Sequence, residues 1–117
     1  WDLHLEKNAP LLRYKNAFME ARRTFKSARA GHYYGHLYHM FIALFAARLM
    51  VSRSEISENV MEETLKARGL GQEQLLKWRL LLAHLAEQAF LPHHELDGKD
   101  QLFNQAIYWL GVLEKIL

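Results

Sequence analysis

The chain has 117 residues, of which 50% are hydrophobic and 24% are charged, with a formal net charge of +2 and no cysteine. This balance is typical of one globular domain, and it excludes a disordered chain, a disulfide framework and a thiolate nucleophile. The longest nearly apolar run, 40–51, contains Arg48 and is too short to cross a bilayer.

The first predicted helix begins with Asn8 as its N-cap and Pro10 in its first turn. Residues 1–9 are therefore expected to form an N-terminal arm or linker before a single helical domain. The helix ends at Gly31, which we expect in the C′ position with a positive φ. Its buried face recurs at three- and four-residue steps and consists of Leu11, Tyr14, Phe18, Ala21, Phe25 and Ala28.

Positive charge is concentrated in this first helix. Residues 1–31 contain seven basic and three acidic residues, a net charge of +4, whereas the remaining 86 residues have a net charge of −2. Such a helix indicates nucleic acid, an anionic membrane surface, the cytoplasmic flank of a membrane span, or only a solvated face. The candidate membrane- or partner-facing surface comprises Arg13, Lys15, Arg22, Arg23, Lys26 and Arg29.

The second predicted helix, about 33–50, is apolar on almost all sides, which is typical of a central helix covered by its neighbours. Ser57 is the expected N-cap of a third helix, 58–68, which Gly69 ends. A fourth helix covers about 72–90, a loop follows at 91–98, and a last helix covers about 99–117. The sequence therefore predicts an all-α, single-domain bundle of about five helices over 1–117, without internal repeats.

Three histidines, His32, His36 and His39, lie on one stripe of the second helix, and three histidines can bind a catalytic zinc. The stripe has no acidic residue and spans nearly two turns, so we expect no metal site. His93 and His94 are adjacent in the predicted loop and are interpreted as solvated.

Arg48 is unusual because helical phase places it among apolar residues. It is expected to extend to the edge of the bundle or to pair with a carboxylate of the third or fourth helix, and anion binding is the alternative. The sequence contains no phosphate-binding loop, nucleophile elbow, HExxH or ExxH motif, so we expect no enzymatic activity and no cofactor. Because the rest of the chain is acidic and no base-reading helix follows a short turn, we also expect no nucleic-acid partner.

An ordered series of segments resembles the C-terminal cytoplasmic tail of BatD-type aerotolerance proteins over residues 13–117. A basic helix, RRTFKSA, precedes the aromatic start YYGHLY of the second helix, and ALFAARL resembles the family's YLADRL-like run. Ile56 and Ser57 followed by TLKARGL resemble its LT…LLRERGV segment, and AEQAFLP resembles its ARFAP ending. These segments occupy 22–28, 33–38, 43–49, 56–57, 64–70 and 86–92.

The resemblance implies a single-pass protein of the bacterial inner membrane, with periplasmic domains before one span and this chain on the cytoplasmic side. It implies a role in oxygen or stress tolerance and protein partners of three kinds: von Willebrand A-type Bat proteins, a tetratricopeptide protein and a MoxR-type AAA ATPase. It supplies no catalytic residue. We therefore expect a non-catalytic interaction module; the alternatives are a free-standing tetratricopeptide-like adaptor and a histidine-dependent metal enzyme.

Overall fold

Five α-helices and one short 3-10 helix form the chain in a computed structural model that describes residues 3–31, 34–90 and 99–117. Side chains are described for 14–28, 35–87 and 101–117. The helices are α1 (Leu3–Gly31), α2 (Tyr34–Leu49), α3 (Glu58–Ala67), α4 (Gln72–Phe90) and α5 (Lys99–Ile116), with the 3-10 helix Arg53–Glu55 between α2 and α3. The described ranges contain no strand, so the predicted all-α bundle of five helices is confirmed.

The start of α1 differs from the prediction. The helix begins at Leu3, five residues before the expected cap Asn8, and it continues through Pro10. Residues 3–9, which were expected to form an arm or linker, are therefore helical and continuous with the rest of α1. Good helix formers (Leu, Glu, Lys, Ala) dominate this stretch, and Pro10 does not end the helix although it removes one backbone donor. Gly31 is the last helical residue, and 32–33 lie outside the described residues.

The helix α2 occupies the centre of the fold. It packs against α1, α4 and the 3-10 helix, and it places Leu37, Phe41, Leu44 and Phe45 in the core without exposed surface. The predicted central position is therefore confirmed. One flank of α2 is less covered than expected: Ala43 and Ala47 are only half-buried, and Met50, which follows the helix, is exposed.

Two helices end with the same backbone motif. After α3, Gly69 has a φ of +94° and the Leu70 N–H donates to the Leu65 carbonyl, as the sequence predicts. After α2, Met50 has a φ of +60° and the Val51 N–H donates to the Ala46 carbonyl over 3.1 Å. A residue with a side chain thus occupies the position that usually requires glycine.

The helix α3 begins as predicted. The Val60 N–H donates to the Ser57 hydroxyl over 3.1 Å, so this N-cap side chain satisfies one of the unpaired donors of the first turn. The exposed Arg79 of α4 forms an ion pair with Glu62 of α3. The helix α3 therefore packs against α4 and buries Met61 and Leu65, and the ion pair joins the two helices at the surface.

An aromatic cluster joins α2, α4 and α5 at the centre of the core. The ring of Trp78 lies 5.2 Å from Phe41, 5.9 Å from Phe45 and 5.2 Å from Trp109, measured between centroids. Its indole N–H is buried and has no hydrogen-bond partner among the described residues. Phe25 of α1 reaches α5 through an edge contact with Phe103 at 5.9 Å. The core therefore connects four of the five helices through aromatic rings. The predicted loop 91–98 lies outside the described residues.

Candidate functional site

An open groove runs between α1 and α2. These helices form a hairpin, since only residues 32–33 separate them, and the groove between them has a volume of about 840 Å³. We call it the α1–α2 groove. Its walls are rich in small side chains, which leave space where larger ones would close the surface: Ala17, Ala21, Ala43, Ala46 and Ala47.

The two ends of the α1–α2 groove differ in chemistry. His36 and His39 lie at the end near the start of α2, and Met50 and Val51 lie at the other end. Met50 is 51% exposed and Val51 is 38% exposed, which is high for apolar side chains that share one end of a cavity. Charged residues of both signs, Glu20, Arg53 and Glu55, and neutral polar side chains also line it. The lining is therefore mixed, with apolar and polar side chains in equal number.

The predicted basic surface of α1 divides into two parts in the structure. Lys15, Met19, Arg22 and Lys26 follow one another at steps of four, three and four residues, and all four side chains are exposed. We call these four residues the basic stripe. Arg23 is also exposed but points to a neighbouring face, where it pairs with Glu20 at 2.8 Å. The side chains of Arg13 and Arg29 lie outside the described residues.

Arg48 joins three parts of the fold. Its Nε donates to the main-chain oxygen of Leu117 over 2.5 Å, just after the last residue of α5. Its guanidinium lies over the ring of Tyr14, 5.5 Å from the centroid. Of the two readings expected for Arg48, the pairing with a carboxylate of the third or fourth helix is wrong, because its partner is a main-chain oxygen at the end of α5. A cation beside the carbonyl end of a helix is favoured by the helix dipole, so this contact is structural.

Tyr14 completes the contact that Arg48 makes. Its hydroxyl donates to the carbonyl of Leu113 over 3.2 Å, inside the last turn of α5. Burial raises the pKa of Tyr14 above its usual value of 10.0, and the positive charges of Arg48 and Arg68 oppose that rise. Because the pKa is higher in the folded state, the stability that Tyr14 contributes is complete below pH 10 and is lost as pH rises through the folded pKa.

The structure describes two histidines of α2, and both lie in the wall of the α1–α2 groove. His36 and His39 line the α1–α2 groove, and the ring of His39 meets Tyr38 edge-on at 6.0 Å. His32, His93 and His94 lie outside the described residues. Within the described part of the chain, no group of three or more His, Asp and Glu side chains is arranged to hold a metal ion.

We predict that these histidines bind no structural metal. Dialysis against a chelator should leave the thermal midpoint of unfolding unchanged, because a bound ion would stabilise the fold by mass action. Differential scanning calorimetry before and after dialysis measures this. A fall of several degrees that zinc reverses in the parent chain, but not in a His36→Ala/His39→Ala variant, would contradict the prediction.

Comparison with known proteins assigns no relative to this chain: no protein family, no curated protein and no solved structure matches it. None of the helices in the described ranges combines the length and the hydropathy that a membrane span requires.

The described structure offers two candidate surfaces for function, the α1–α2 groove and the basic stripe. The sequence pattern indicated the second but not the first.

Proposed function

We propose that this chain is a non-catalytic protein-interaction module of a membrane-anchored, BatD-like stress- or oxygen-tolerance protein. In this role it docks partner proteins at the cytoplasmic face of the bacterial inner membrane. The observation that supports an interaction role is the α1–α2 groove, a cavity of about 840 Å³ with alanines in its walls and exposed Met50 and Val51 at one end. Exposed apolar side chains beside a groove are typical of a protein-binding site.

The groove favours one kind of occupant, the apolar face of a partner helix. Its α2 wall extends from His36 to Ala47, about 16 Å at 1.5 Å per residue, which matches about three helical turns. Small side chains in the walls let a second helix approach closely, and Met side chains adapt to its surface. Contact with the alanines and with Met50 would supply the apolar part of the affinity, and the polar side chains of the lining would contact the flanks of the partner helix.

The identity of the whole protein is supported by the sequence. The resemblance to BatD-type tails covers residues 13–117, and its segments follow one another in the same order. The net charge of +4 in residues 1–31 agrees with a cytoplasmic position beside a membrane span. The partners that this reading implies are von Willebrand A-type Bat proteins, a tetratricopeptide protein and a MoxR-type AAA ATPase.

Binding of these three purified partners to the chain tests the proposal, with Ala47→Glu as the key variant. Ala47 is half-buried in the groove wall, so the new carboxylate would enter the interface without its water. We expect at least about tenfold weaker binding to the true partner, equivalent to about 1.4 kcal/mol. Surface plasmon resonance measures the affinity.

The matched control is Ala83→Glu, which places the same charge on an exposed alanine of α4 outside the groove. It should leave binding unchanged, and circular dichroism should show that both variants remain folded. If none of the three proteins binds, or if Ala47→Glu binds as well as the parent chain, the proposal is wrong.

A further inference from the structure

The basic stripe forms a linear cationic surface on the outside of the bundle. Lys15 and Lys26 mark its two described ends, 11 residues apart, which is about 16 Å along the axis of a straight helix. On its other faces α1 buries Phe18, Ala21, Phe25 and Ala28 in the core. None of the stripe residues lines the α1–α2 groove. The stripe is therefore a second surface, separate from the one that supports the proposed function.

The charges along the stripe are only partly neutralised. Arg22 pairs with Glu114 of α5, and both side chains are about half exposed. Lys15 and Lys26 have no ion-pair partner among the described side chains. An exposed ion pair contributes little, so Arg22 can exchange its carboxylate for another anion without a large loss of stability. Three cations in one line are thus available to a negatively charged surface.

Met19 distinguishes between the surfaces that could bind here. It lies in the middle of the stripe, between Lys15 and Arg22, and is 59% exposed. An apolar side chain flanked by cations matches the boundary of an anionic bilayer, where phosphates meet the long side chains and acyl chains lie just beneath. A purely acidic protein surface would complement the cations but would offer Met19 no apolar contact.

We propose that the basic stripe is a site for peripheral contact with an anionic lipid surface. Lys15, Arg22 and Lys26 bind headgroup phosphates, and Met19 enters the interfacial layer between them. The contact orients the bundle with one side of α1 along the membrane. Because the stripe and the groove share no residue, lipid contact and partner binding can occur together, and this inference does not depend on the proposed function.

Co-sedimentation of the 117-residue chain with vesicles tests the inference. One vesicle contains phosphatidylcholine alone, and the other contains phosphatidylcholine with phosphatidylglycerol. We expect binding to the anionic vesicle only, with a bound fraction that falls as salt shortens the Debye length from about 10 Å at 0.1 M to about 3 Å at 1 M. Lys15→Glu/Lys26→Glu should weaken the binding at least about tenfold, because each position changes from attraction to repulsion.

The matched control is Lys66→Glu/Lys77→Glu, which changes the net charge equally at exposed positions of α3 and α4. It should retain most of the binding; equal loss in both double variants would overturn the inference, because net charge alone would then explain the result.

Met19→Ser should weaken binding several-fold, whereas Leu80→Ser, at another half-exposed apolar site, should not. Binding to polyglutamate without binding to anionic vesicles would overturn the inference in favour of an acidic protein partner.

Discussion

Replacing Phe41 with alanine is expected to lower the free energy of unfolding by about 3–5 kcal/mol. Phe41 has no exposed surface, and its ring packs edge-on against Trp78 at the point where α2 meets α4. The substitution removes that contact and leaves a cavity in the most buried part of the core. Since small domains have a total stability of about 5–15 kcal/mol, the loss would be a large fraction of the whole.

Chemical denaturation monitored by circular dichroism measures this loss. Leu80→Ala is the control, because Leu80 is apolar but 51% exposed on α4, and we expect its effect to remain within about 0.5 kcal/mol. A loss below about 1 kcal/mol for Phe41→Ala would show that α2 does not hold the centre of the bundle.

Arg48→Met is expected to cost about 2–3 kcal/mol, although Arg48 is only half-buried. Methionine keeps much of the apolar stem but removes the charged hydrogen bond to Leu117 and the cation above the Tyr14 ring. A hydrogen bond to a charged group contributes about 1.5–3 kcal/mol, and an exposed cation–π contact about 0.5–1 kcal/mol. The variant also leaves the last carbonyls of α5 without their cation.

A double-mutant cycle separates these contributions. Arg48→Met, Tyr14→Phe and the double variant are compared by denaturant unfolding, and non-additive losses indicate that both side chains act on the same end of α5. Arg53→Met is the control, since Arg53 is exposed and forms no ion pair with the other described residues. If Arg48→Met costs no more than Arg53→Met, Arg48 does not secure α5.

Local signals explain which parts of the fold could be predicted. Ser57 and Gly69 act within one turn of their own helix, so the bounds of α3 follow from the sequence. Met50 adopts the same left-handed conformation as Gly69, but a methionine gives no local sign of it. Asn8 and Pro10 have the pattern of a helix start and predicted that α1 begins there. The helix begins at Leu3 instead, because good helix formers dominate 3–9.

The candidate surfaces depend on longer-range information. The sequence predicted a basic surface on α1 that includes Lys15, Arg22 and Lys26, but it grouped Arg23 with them and did not identify Met19 as part of the same stripe. The α1–α2 groove was missed because alanines at 43 and 47 resemble any buried helix face, and only the placement of the other helices decides whether they are covered. Helical phase also identified Arg48 as unusual, but its partner Leu117 lies 69 residues away and gives no signal near it.

The contacts at the end of α5 join residues that are far apart in the chain, 99 residues for Tyr14 with Leu113 and 69 for Arg48 with Leu117. The chain must lose the entropy of closing a long loop before such contacts can form. The contacts of α1 with α2 and of α3 with α4 close shorter loops and cost less entropy. We therefore expect helices that are neighbours in sequence to pair early and the contacts of α5 with α1 and α2 to form last. Interactions that form after the transition state slow unfolding and leave the folding rate nearly unchanged. Arg48 would then determine how long the folded state persists more than how quickly it is reached.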